Sequence, residues 1–145
     1  MPKQRLEGDF KEFASYNTNL YILKLQVEKR SFTGMPADFL VLSDNYKYMV
    51  ECKENKSSSY PFSRSSQVKK LQTFELKSTN NTNVAYFLIS FWLGSVKKSL
   101  YYLIPLKEYL KFEGLTGKKS GNIHDFNLHL SEYEIDLPLI SQYFI

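Results

Sequence analysis

Three side chains within a short stretch can carry acid, base and metal chemistry together. Asp38 lies in Pro36-Ala37-Asp38-Phe39-Leu40-Val41-Leu42, and Glu51 and Lys53 lie in Met49-Val50-Glu51-Cys52-Lys53. Between the two apolar runs stands Ser43-Asp44-Asn45-Tyr46, a turn signal. If Asp44-Asn45 is a two-residue hairpin loop, Ser43 pairs with Tyr46, Leu40 with Met49, Phe39 with Val50, and Asp38 with Glu51. Side chains alternate along a strand, so Asp38, Glu51 and Lys53 share one face. Directly opposed like charges destabilise a sheet. A divalent cation between the carboxylates, with Lys53 beside it, accounts for the arrangement. Hard oxygen ligands on one side, with positions left for water and phosphate, suit Mg²⁺, with Mn²⁺ as the alternative. The pattern points to metal-dependent cleavage of phosphodiesters.

Glu-x-Lys alone carries little weight, since it occurs three times. Glu54-x-Lys56 falls in a polar loop and Glu75-x-Lys77 at the end of a predicted helix, neither with an aspartate on a facing strand. The competing reading of Glu51-x-Lys53 is a sheet-edge salt bridge between Lys53 and one carboxylate.

The elements that must position these residues follow from periodicity. Leu6, Phe10, Phe13 and Asn17 fall at helical spacing and predict a helix over 5–17. Residues 21–27 predict a first strand, followed by the central hairpin. Both hairpin faces are apolar, which predicts a mixed sheet with helices on both faces, an α/β layered domain. After a loop over 54–63, Ser63 is placed to cap a helix reaching Lys77, with Val68, Leu71 and Phe74 turned to the core. Residues 84–92 and 100–104 predict two more buried strands, and Pro105 opens a short helix. The glycine- and lysine-bearing stretch 113–122 predicts an exposed loop. The apolar tail 138–145 predicts a docked C-terminus.

Composition bounds the remaining possibilities. A chain of 145 residues, 43% hydrophobic and 16% aromatic, supports one domain with its own core and excludes disorder. No apolar run is long enough to span a bilayer, and the N-terminus lacks an apolar signal segment. One cysteine fits a reducing cytoplasm. Cys52 is expected on the face opposite Glu51, as a structural thiol. The net charge of +4 suits a polyanion partner. Lys56, Arg64, Lys69 and Lys70 are candidate DNA-backbone contacts, giving salt-sensitive binding without base preference. Lys97-Lys98 and Lys118-Lys119 read as solvated turn lysines. His124 and His129 match no common zinc spacing. No Gly-rich phosphate loop or Gly-x-Ser-x-Gly elbow supports a nucleotide cofactor or a serine hydrolase.

Asp38 followed by Glu51-Cys52-Lys53 on a hairpin resembles the PD-(D/E)xK nuclease core, a restriction-endonuclease-like fold. The wider order resembles RecU-type Holliday junction resolvases. Phe10-Lys11-Glu12-Phe13 and Asn17-Thr18-Asn19-Leu20-Tyr21 are similar to that family's first helix and Thr-Asn-x-Tyr segment. Ala37-Asp38-Phe39 stands where the family has Thr-Asp-Tyr, and Glu51-Cys52-Lys53-Glu54 where it has Glu-Ala-Lys-Glu. Tyr60-Pro61-Phe62 is similar to its Phe-Pro-Leu loop, and Ser66-Gln67 to its His-Gln. Phe87-Leu88-Ile89-Ser90-Phe91 resembles its last core strand. Two departures stand out: Ala37 replaces the family's threonine, and only Glu28 to Pro36 stands where the family carries a long stalk.

The resemblance implies hydrolysis of DNA by metal-assisted in-line attack of water. Asp38, Glu51 and the backbone carbonyl of Cys52 would bind Mg²⁺, and Lys53 would orient the nucleophile or stabilise phosphate charge. Glu12 would supply an outer carboxylate, and Gln67 a hydrogen bond to a bound water or the phosphate. Two symmetric cuts in a four-way junction imply a homodimer. A nuclease of the same fold with another DNA substrate, of phage or restriction type, and a non-catalytic DNA-binding domain are the alternatives.

Overall fold

A computed structural model describes residues 5–25, 37–62 and 65–144. The hairpin forms as predicted: β2 (Phe39–Leu42) pairs antiparallel with β3 (Lys47–Asn55), Leu40 opposite Met49 and Phe39 opposite Val50. Ser43 N–H donates to the Tyr46 carbonyl at 3.0 Å, and Tyr46 N–H to Ser43 Oγ at 3.1 Å, closing the turn. Strand β1 (Tyr21–Lys24) flanks β2 antiparallel; the rest of the predicted 21–27 strand beyond Leu25 lies outside the described residues.

On its other side β3 pairs in parallel with β5 (Asn83–Phe91). Helix α2 (Ser65–Leu76) is the crossover that a parallel pair requires. The Ser63 cap lies outside the described residues. Strands β6 (Leu100–Pro105) and β8 (Glu134–Ile135) add antiparallel, giving a six-stranded mixed sheet ordered β1-β2-β3-β5-β6-β8.

Alternation along the inner strands sends apolar residues to both faces, as the sequence pattern requires. Ala85, Phe87, Ile89 and Phe91 of β5 meet Leu71 of α2 and residues of α3 (Leu106–Thr116) and α4 (Ile123–Leu130). Phe39, Val41, Val50 and Leu88 meet α1 (Arg5–Ala14) and the 3₁₀ helix Leu137–Tyr143 on the opposite face. Leu6, Phe10 and Ala14 form the buried stripe of α1. Full burial of a side chain such as Phe10 stabilises by about 1.5–3 kcal/mol. The C-terminal tail docks there as expected, with Ile140 and Phe144 buried.

The predicted exposed loop over 113–122 is corrected by the structure. Residues 113–116 finish α3, whose C-cap Gly117 takes a left-handed φ of 58°. β7 (Ser120–Asn122) pairs antiparallel with β4 (Ser59–Pro61) in a second, two-stranded sheet. The ladder continues at both ends: Phe62 N–H donates to the Lys119 carbonyl at 2.9 Å, and Ile123 N–H to the Ser58 carbonyl at 3.0 Å. Gly121 is required because a Cβ there would stand 3.0 Å from Phe62 Cζ and 3.3 Å from both Phe112 and Phe126. Tyr60, Phe62, Phe112 and Phe126 stack edge to face beneath the ribbon. Asn122 and Asp125 form a reciprocal capping box that starts α4.

Candidate active site

Asp38 begins where the β2 ladder ends. Its N–H donates to the Val50 carbonyl at 3.1 Å, its carbonyl accepts from Leu25 N–H at 2.8 Å, and its Oδ2 accepts from Cys52 N–H at 2.8 Å. Backbone from two strands therefore fixes the carboxylate beside β3. Glu51, two residues beyond the last β2 pairing partner but one, is only 3% exposed although charged. Lys53 Nζ lies 2.6 Å from Glu51 Oε2, and Gln67 Nε2 lies 2.5 Å from the same oxygen. Gln67 arrives from the first turn of α2, which is oriented by Val68, Leu71 and Phe74 packing into the core. Its other amide atom, Oε1, is buried without a partner among the described residues.

The Lys53–Glu51 ion pair of the competing reading is thus present, but on an interior strand with both side chains largely covered. Desolvated ion pairs contribute little net stability, so fold stability does not by itself account for this one. Burial raises the pKa of Asp38, against the Cys52 N–H bond and the charge of Lys53, which lower it. Burial, and then the Asp38 charge, raises that of Glu51, against the Lys53 and Gln67 contacts. The two carboxyls titrate as a unit, and together they are driven toward holding a proton.

The residues fit a hard divalent ion. Within a strand the N–H and C=O of one residue point to the same side. The Cys52 carbonyl therefore shares the side of its N–H, toward Asp38 and beyond the end of the β2 ladder. Two carboxylates and this carbonyl form a one-sided oxygen set, and the unpartnered Gln67 Oε1 can accept from a bound water. Among the described residues no three His, Cys, Asp or Glu side chains converge on one point. Mg²⁺ ordinarily keeps several waters and needs few protein ligands. The Cys52 thiol is pushed well up by burial and by Asp38, Glu7 and Glu51, which is the opposite of what a nucleophile needs.

The structure does not bring Glu12 to the pair. On a helix of 3.6 residues per turn, Glu12 stands roughly 160° from the centre of the Leu6-Phe10-Ala14 stripe, and it is exposed. Glu7, which flanks that stripe, reaches the site instead. Its Oε1 lies 3.7 Å from Lys24 Nζ, and burial and the Asp38 charge raise its pKa. The apolar stripe of α1 was the signal that could have identified Glu7 over Glu12. Lys56 is exposed just past β3, Lys69 is exposed on α2 and Lys70 is half-buried there; Arg64 lies outside the described residues. His124 and His129 are both exposed on α4. No helix among the described residues is long and apolar enough to cross a membrane.

No protein-family profile and no curated protein matches this sequence. Among solved structures the chain is similar to Hjc, a Holliday junction resolvase from the archaeal hyperthermophile Archaeoglobus fulgidus. The TM-score is 0.60 over 96% of this chain and 99% of that one, at 15% identity. The likeness does not single out the RecU type. The mixed six-stranded sheet with helices on both faces is a restriction-endonuclease-like fold, shared with Hjc.

Proposed function

We propose that this protein is a metal-dependent endodeoxyribonuclease that cuts branched DNA, in the manner of the Holliday junction resolvases whose sequence order and fold it resembles. The observation that carries the reading is the interacting pair of half-buried Asp38 and buried Glu51, with Lys53 and Gln67 both on Glu51 Oε2. Asp38, Glu51 and the Cys52 carbonyl would hold Mg²⁺ or Mn²⁺. The bound ion would lower the pKa of a coordinated water and neutralise charge on the scissile phosphate.

The chain's own residues do the rest. Cys52 N–H holds the Asp38 carboxylate in place, and Gln67 Nε2 holds that of Glu51. Gln67 Oε1 accepts a hydrogen bond from the attacking water. Lys53 brings an ammonium to the same spot, where it orients that water or stabilises the developing phosphate charge. Glu7, between Asp38 and Lys24, serves as the outer carboxylate. Lys56, Lys69 and Lys70 contact the DNA backbone. Paired cuts across a junction call for two equivalent sites, so we assign a C₂ homodimer.

A second reading keeps the chemistry and changes the substrate. Leu25 is already bonded to Asp38, so residues 26–37 alone would have to build any RecU-type stalk. This favours a nuclease of the same fold acting on other DNA.

The test is cleavage of labelled four-way junction, linear duplex and single strand in Mg²⁺, beside Glu51→Ala. Symmetric paired cuts in the junction, lost in the variant, support the resolvase reading. Cleavage of linear DNA supports the second reading. Undiminished cleavage by Glu51→Ala refutes the site.

A further inference from the structure

Five lysines, Lys56, Lys69, Lys70, Lys118 and Lys119, fall in three short segments bounded by Glu54, Glu75, Glu113 and Asp125. The three segments are distant in sequence, yet β4 and β7 pair, and β4 leads directly into α2.

That surface is also tied to the catalytic pair at both ends. The chain leaves the site at Lys53, forms β4, and returns as Gln67, and both residues bond Glu51 Oε2. The ribbon is thus anchored beside Glu51. From Ser59 to Phe62 it extends about 10 Å at ~3.3 Å per residue, or about three steps along one strand of a duplex. Lys56 lies in the bend that precedes it. Lys119, opposite Phe62, stands at its far end, exposed and without an acidic partner among the described residues. Lys118 is held beside it by Asp125, 3.1 Å from each carboxylate oxygen, while Asp125 also accepts from Asn122 N–H at 3.0 Å. The Lys118 side chain is still 54% exposed, so it is positioned rather than buried. Exposed Ser57 and Ser59 add neutral donors between the charges.

We infer that the β4–β7 ribbon is a DNA-backbone tract, in which Lys118 and Lys119 join Lys56 and the α2 lysines in gripping the duplex arm that leads to the site. The inference rests on the nuclease reading and adds a contact surface from the second half of the chain.

The test is anisotropy of a labelled duplex and a labelled four-way junction in Ca²⁺, from 50 to 200 mM salt. The proteins are the parent, Lys119→Gln, Lys118→Gln with Lys119→Gln, and a control, Lys77→Gln with Lys107→Gln, at the opposite end of the sheet. Each phosphate contact contributes about 0.9 to the slope of log affinity on log salt. The ribbon pair should lower the slope by about 1.8 and the single variant by about 0.9, with the control unchanged. Over that fourfold salt range each lost contact makes the fall in affinity about 3.5-fold smaller. Lys119→Gln leaves the Lys118–Asp125 pair intact, so it reports binding even if the double variant loosens α4. An unchanged slope in Lys119→Gln and the double variant, or an equal drop in the control, overturns the ribbon while leaving the nuclease reading standing. Failure of the parent to bind either DNA overturns both.

Discussion

Replacing Glu51 by Gln should stabilise the metal-free protein at neutral pH and abolish its response to Mg²⁺. The sign follows from the raised pKa values of Asp38 and Glu51. A carboxyl whose pKa is higher in the folded than in the unfolded chain binds more protons when folded. Stability therefore falls as pH rises from the ordinary values of 3.8 and 4.5 through the raised ones. At a pH above the raised values the parent has incurred that loss, and Glu51→Gln removes one of the two charges. Lys53 keeps a counter-charge in Asp38. Every tenfold of proton affinity removed is worth about 1.4 kcal/mol. For 145 residues the unfolding entropy is about 0.3 kcal/mol/K, so 1.4 kcal/mol corresponds to about 5 °C. Below pH 4 the advantage should vanish. Mg²⁺ reverses the ranking, because at a hundredfold excess over Kd it stabilises the parent by about 2.7 kcal/mol, or about 9 °C. The assay is thermal unfolding followed by the fluorescence of Trp92, the single tryptophan, in EDTA and in graded Mg²⁺. A variant less stable than the parent in EDTA, or equal Mg²⁺ shifts in both, would refute the electrostatic account of the site.

Lys69→Ala with Lys70→Ala should weaken duplex binding uniformly across sequences and lower its salt slope by up to about 2, read by anisotropy. Glu7→Gln should slow cleavage by about 10–100-fold, the scale of groups that support a metal site, while Glu12→Gln leaves the single-turnover rate unchanged. Gly121→Ala should cost about 1–3 kcal/mol by overpacking, because the new methyl meets three rings already locked together; its melting temperature checks this.

Period-two alternation and a two-residue turn lie within a few residues of one another, so the hairpin and its register, Leu40 opposite Met49 and Phe39 opposite Val50, were legible in the chain. The apolar stripes of α1 and α2 and the continuous run of β5 were legible for the same reason: each is a local period with many repeats. Two details of the site were not. Glu7 and Glu12 share a helix whose apolar stripe sets Glu7 beside the buried face, but only the packing of that face against the sheet shows what Glu7 meets there. A three-residue strand such as β7 carries too little pattern to be seen, and its glycine and lysines read as a loop. It became a strand because β4 lay alongside with unpaired backbone groups, and because Gly121 alone fits against the aromatic cluster. The sequence by itself determined which carboxylates and which lysine share a face, since that depends on neighbours along the chain. Tertiary structure decided what surrounds them, because those contacts join segments whose pairing no local period encodes.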